Sequence, residues 1–112
     1  LQLSANNYLM RGESMPVLAT DQDINSFLNT HDRWARCDNG LTCEFTAPSF
    51  EKAIALVNSV AKTAEQLDHH PDIDIRWTSV TFTVSTHSAG GITSLDFELA
   101  MAIGAAAAKC FG

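Results

Sequence analysis

The chain is short of basic residues, of cysteine and of long apolar stretches, and each shortage closes off a class of function. Seven Lys and Arg stand against thirteen Asp and Glu, giving a formal net charge of -6. Basic residues so few and so dispersed cannot form the positive footprint that a phosphate backbone requires, so no nucleic acid is expected as a direct ligand. The three cysteines, Cys37, Cys43 and Cys110, are odd in number and contain no CxxC pair. Neither a disulfide framework nor a zinc ribbon is indicated, and reduced thiols in a cytoplasmic or nuclear protein fit best. No run of about 18 apolar residues exists, so no membrane span is expected. What is present is 46% apolar residues in 112 positions, enough for one core and too little for two ordinary domains.

Residues 1–19 show no sustained period and carry Asn6, Asn7, Gly12, Ser14 and Pro16. They read as a poorly ordered N-terminal extension or leader remnant, the missing initial Met pointing to trimming, and the domain is assigned to residues 20–112. From Thr20, a cap signal precedes Ile24, Phe27 and Leu28 at helical spacing. Two strand-like segments then flank Asp38-Asn39-Gly40, whose Asn-Gly pair tolerates positive φ and predicts a hairpin. After Pro48, the apolar residues Phe50, Ile54, Val57, Val60, Ala61, Ala64 and Leu67 predict a helix of about 18 to 20 residues.

Pro71 ends that helix and drives His70 out of the α region. Ile73, Ile75 and Trp77, then Val80, Phe82 and Val84, alternate with polar residues around a connector placed at Thr78-Ser79. Thr93-Ser94-Leu95-Asp96 opens a last helix, with Thr93 as N-cap and Asp96 at the capping position. The order α-β-β-α-β-β-α with short links predicts an α+β fold, a four-stranded antiparallel sheet with three helices packed on one face. The open face is left for solvent or a second subunit.

The chemistry concentrates in Asp68-His69-His70-Pro71 and, sixteen residues after the proline, in His87, preceded by Ser85-Thr86 and followed by Ser88-Ala89-Gly90-Gly91. Histidine exchanges protons near neutrality, so three of them at two loop ends point to acid–base work. Each has a plainer role. A histidine at a helix end caps carbonyls, one at a strand end is solvated, and Asp96 caps a helix. His31, beside Asp32, reads as surface, and Cys37 and Cys43 either face each other or pack as small hydrophobes. Three imidazoles suit zinc, but adjacent side chains diverge and no HExxH or paired CxxC is present, so no metal is assigned. Glu65, Asp68 and Asp72 surround the histidine pair with negative charge and favour the protonated imidazole.

These motifs resemble those of the pterin-4a-carbinolamine dehydratases, the dimerisation cofactors of a hepatocyte nuclear transcription factor, over roughly residues 20 to 110. The resemblance rests on Glu65-Gln66-Leu67-Asp68-His69-His70-Pro71, Trp77 six residues after that proline, Ser85-Thr86-His87, Gly91-Ile92-Thr93 leading to Asp96, and Leu99-Ala100, with Trp34 before the first strand. Trp77 stands where many members have Tyr, and the N-terminal extension has no counterpart in the minimal domain. The resemblance implies dehydration of 4a-hydroxytetrahydropterin to the quinonoid dihydropterin in tetrahydrobiopterin recycling, without metal or organic cofactor. It implies His69 and His87 as the proton-transfer pair, His70 as the group that holds and polarises the pterin, and Asp96 as their support. Glu65 and Asp68 tune the imidazoles, and Glu65, Asp68, His69, His70, Pro71, Ser85, Thr86, His87 and Ser88 make up the substrate-binding set, the backbone groups of residues 68–70 and 85–88 meeting the ring edge. It further implies a homodimer or homotetramer meeting through the last helix, and the family also admits a scaffold or transcription-factor partner role without catalysis.

Overall fold

The structure, a computed structural model, describes residues 16–111. Helix α1 (Asp21–Thr30) starts at Thr20, whose hydroxyl accepts from the Asp23 N–H while the Asp23 carboxylate accepts from the Thr20 N–H. This reciprocal box satisfies two of the backbone donors that every helix start leaves open. Strands β1 (Ala35–Cys37) and β2 (Gly40–Thr46) follow, then α2 (Phe50–Leu67), β3 (Asp72–Arg76), β4 (Ser79–Val84), a single 3-10 turn (His87–Ala89) and α3 (Ser94–Phe111). The four strands form one antiparallel sheet in the order β1-β2-β4-β3.

Register divides the sheet into two unlike faces. Leu41 pairs with Val84, Cys43 with Phe82 and Phe45 with Val80, and all six are buried. These residues meet Ile24 and Phe27 of α1, Ala53, Leu56 and Val60 of α2, and Leu99, Ala100, Ile103 and Ala107 of α3 in one core. All three helices therefore cover the same face, as expected from the element order. The other face carries Thr42, Thr81 and Thr83 with Glu44 and Asp74, and its hydroxyls bond across strands, Thr83 to Thr42 at 3.2 Å and Ser79 to the Glu44 carboxylate.

Local readings shift in three places. The positive φ of the first hairpin falls on Asp38 (52°), and Gly40 already belongs to β2, where a Cβ would stand 2.6 Å from the Val84 carbonyl oxygen. Arg76 pairs with Ser79, so Trp77 and Thr78 make the second turn. Trp77, expected in the strand, has φ 54° and is 78% exposed, because the alternating pattern runs on through the turn. On α2 the buried stripe is Ala53, Leu56, Val60 and Ala64, leaving Phe50 in the first turn and Ala61 exposed. Residues 1–15 of the expected extension lie outside the described residues, while Leu18 bridges Thr93 and the Ala19 N–H donates to the Ile92 carbonyl at 2.8 Å.

Candidate functional site

The end of α2 delivers its two histidines to two different carboxylates. Asp68 takes the left-handed conformation (φ 52°, ψ 43°) normally given to glycine after a helix, and the His69 N–H reaches back to the Ala64 carbonyl at 3.1 Å. Such a cap satisfies helix carbonyls and turns the chain sharply. His69 is thereby nearly buried (side chain 11% exposed), with Nε2 at 2.6 Å from Oδ1 of Asp96. His70 stays outside, its Nε2 at 2.5 Å from Oε2 of the exposed Glu65.

Asp96 is fully buried in the first turn of α3 and uses both oxygens. Oδ2 accepts from the Thr93 N–H at 2.9 Å, the capping role expected of it, and from the Thr86 hydroxyl at 2.8 Å. Oδ1 is left for His69. A buried charge held by three donors is tolerable where an unpaired one is not. A carboxylate only accepts, so the Nε2 of His69 carries the proton shared with Asp96, and Nδ1 is the ring nitrogen left for exchange.

Thr86 also anchors the loop that carries the third histidine. Its N–H donates to the Gly91 carbonyl at 2.9 Å, and its own carbonyl accepts from Ala89 and Gly90, both at 3.0 Å. Gly90, with φ 79°, completes the turn. Gly91 lies close against Leu18, which a Cβ there would meet at 3.0 Å. His87 and Ser88 are exposed on this turn.

Of the residues singled out in the sequence, His69, Thr86 and Asp96 form one hydrogen-bonded cluster, and the backbone of His87 follows directly from it. Glu65 and His70 are an exposed pair at the helix exit, and Pro71 is half-buried beside them. Asp68 is the cap, and the Ser85 hydroxyl donates to the Asn39 carbonyl at 2.7 Å, toward the first hairpin. Thr93 was read only as a cap. Its buried hydroxyl lies 2.8 Å from that of Thr86, a contact that no local spacing announces.

A separate groove of about 380 Å³ lies toward the far end of α3, lined by His31, Arg33, Trp34, Phe45, Ala107 and Phe111 among others. At 1.5 Å per residue, Ala107 is roughly 16 Å along the axis from Asp96. His31, read as surface, is half-buried and stacks on Phe27 with ring centroids 4.2 Å apart, and the exposed Arg33 lies 4.7 Å over the Phe45 ring. Burial pushes the nearby Cys43 thiol up, with Arg33 opposing. Cys37 is exposed and Cys43 buried, on opposite sheet faces, which settles that they do not face each other.

A four-stranded sheet under three helices, with a buried His–Asp pair where a helix exit meets a helix start, defines an α+β domain. The sequence profile of the family described as pterin 4 alpha carbinolamine dehydratase matches residues 17–106. The chain belongs to that family. It is 50% identical over 86 residues to a protein of Nocardia farcinica named "Putative pterin-4-alpha-carbinolamine dehydratase", covering 77% of this chain and 90% of the relative. A crystal structure from Brucella melitensis, named as a transcriptional coactivator/pterin dehydratase, superposes with a TM-score of 0.78 at 32% identity over 81% of this chain and 99% of that one. A pterin dehydratase-like protein identified as a RuBisCO assembly factor in the alpha-carboxysome shares the fold, with a TM-score of 0.55 at 22% identity over 67% of this chain and 87% of that one.

Proposed function

We propose that the protein dehydrates 4a-hydroxytetrahydropterins to quinonoid dihydropterins by histidine acid–base catalysis. The observation that carries this reading is the buried Asp96 carboxylate holding His69 at 2.6 Å and Thr86, next to His87, at 2.8 Å. The reaction protonates the hydroxyl on C4a, breaks the C4a–O bond to release water, and takes the proton from N5 as the N5 lone pair forms the new double bond. It therefore needs an acid near one atom and a base near the other. His69, with Nε2 engaged, exchanges protons through Nδ1, and His87 on the exposed turn is its counterpart.

His70, steadied by Glu65, holds and polarises the pterin, and backbone groups of residues 68–70 and 85–88 meet its edge, where donors and acceptors alternate. Each acid or base is worth about 10² to 10⁴ in rate. The substrate reaction is followed spectroscopically as decay of 4a-hydroxytetrahydropterin. The wild-type chain accelerates it, and a His69→Ala, His87→Ala double variant does not; equal rates for the two would remove the catalytic assignment.

A second reading is a scaffold role, favoured by Trp77 and Phe50. These are 78% and 51% exposed, on two segments tied together by the 2.8 Å hydrogen bond from the Ala47 N–H to the Thr78 carbonyl. Large exposed aromatics of this kind mark contact surfaces. A Trp77→Ser, Phe50→Ser variant that loses a stoichiometric partner captured from the native cell, yet keeps dehydratase turnover, would establish it beside the enzyme activity.

A further inference from the structure

Like Asp96, Thr86, one of the residues expected to meet the substrate, is buried, only 3% exposed. Its hydroxyl has two partners, Oδ2 of Asp96 and the Thr93 hydroxyl, each at 2.8 Å. A hydroxyl owns one hydrogen. A carboxylate oxygen can only accept, so the Thr86 hydrogen goes to Asp96. The Thr93 hydroxyl must then donate to Thr86, and it in turn accepts from the Leu95 N–H at 3.2 Å. The chain of donors runs in one direction, from the Leu95 N–H through Thr93 and Thr86 to Oδ2 of Asp96.

We propose that Thr86 is a positioning residue for the proton-transfer step. Its hydroxyl fixes the rotation of the Asp96 carboxylate, so that Oδ1 holds the Nε2–H of His69 and Nδ1 is kept as the exchanging nitrogen. Without that donor, Oδ2 keeps only the Thr93 N–H, and the carboxylate can turn away from the ring. The imidazole then samples both tautomers, and half of the acid–base machinery presents the wrong nitrogen. The effect on rate rests on the dehydratase reading; the effect on the tautomer does not.

The test uses the full chain, labelled with ¹⁵N, as wild type, Thr86→Val and Thr86→Ser. Valine keeps the shape and removes the hydroxyl, while serine keeps the hydroxyl. Ring ¹⁵N spectra should show His69 as the Nε2–H tautomer in wild type and Thr86→Ser, and as a mixture in Thr86→Val. With 4a-hydroxytetrahydropterin, kcat should fall about tenfold in Thr86→Val with KM little changed, and Thr86→Ser should recover it. If the valine variant does not fold, Thr86→Ala supplies the same comparison with less bulk against the carboxylate. A valine or alanine variant with the wild-type His69 spectrum overturns the proposal, as does a mixed tautomer with unaltered kcat. If wild type itself does not turn over the pterin, the dehydratase reading fails, and the tautomer comparison still decides whether Thr86 positions His69.

Discussion

Nε2 of His69 lies 2.6 Å from Oδ1 of Asp96, although the two residues are 27 positions apart. One pair thus joins the exit of α2 to the start of α3, so the groups proposed for proton transfer are also part of what holds two helices together. Removing the carboxylate with Asp96→Ala strands the His69 ring, the Thr86 hydroxyl and the Thr93 N–H without their acceptor. We expect a loss of about 3 kcal/mol, read as a lower urea midpoint with an unchanged slope. The exposed pair of His70 and Glu65 is the control, and His70→Ala should change stability by less than about 0.5 kcal/mol. A mild Asp96→Ala would show that its three donors find water instead.

Asp68 occupies a left-handed position with φ 52°. Glycine has no Cβ to strain there, so Asp68→Gly should stabilise the protein by roughly 0.5 to 1 kcal/mol. A domain of about 100 residues would answer with a rise of a few degrees in Tm, measured by circular dichroism. The same variant separates geometry from chemistry. Turnover that survives the substitution assigns Asp68 to the cap, and turnover that collapses while stability rises assigns its carboxylate to the histidines.

Gly40 sits where the backbone of β4 leaves no room, since an added Cβ would approach the Val84 carbonyl oxygen to 2.6 Å. The obstacle is the backbone at the end of β4, which cannot swing aside as a side chain can. Gly40→Ala should therefore cost about 1 to 3 kcal/mol, seen in the urea midpoint. Gly90→Ala meets no atom within 4 Å, and its cost should come from φ 79° alone.

The three free thiols should react in order of exposure, Cys37 first and Cys43 only on unfolding, as followed by mass spectrometry after alkylation. Burial raises the Cys43 pKa, so above about pH 8.5 the unfolded chain releases a proton that the folded chain retains. Stability should then decline as pH rises through that window, because the unfolded state binds fewer protons there. Cys43→Ala should lessen that decline, even though it lowers stability at neutral pH by leaving a small cavity.

Much of the architecture was legible from short-range signals. Thr20 with Asp23 and the turn residues Asp38 and Asn39 act on backbone groups within three or four positions, and the structure shows a cap and a turn at those places, whereas the Ser49 cap of α2 was not read beside Pro48. Trp77 was misplaced because alternation of apolar and polar residues does not record where a strand stops. The buried stripe of α2 was misjudged at Phe50, since hydrophobicity alone does not tell which side of a helix another helix will cover. Hydroxyl bookkeeping was invisible altogether: nothing near Thr86 in the sequence reveals that Thr93 and Asp96 will enclose it.

The amino-acid order by itself determined the number and kind of elements, the helix exit at Asp68 to Pro71, and the histidines placed at that exit and after the last strand. Those follow from periodicity, backbone sterics and side-chain type, all of which act locally. Only the folded chain decided the β1-β2-β4-β3 order, the pairing of His69 with Asp96 and of His70 with Glu65, and the burial of the Thr86 hydroxyl. These depend on which distant segments share a core, and a hydrogen bond formed there is selected by the packing that excludes water from it.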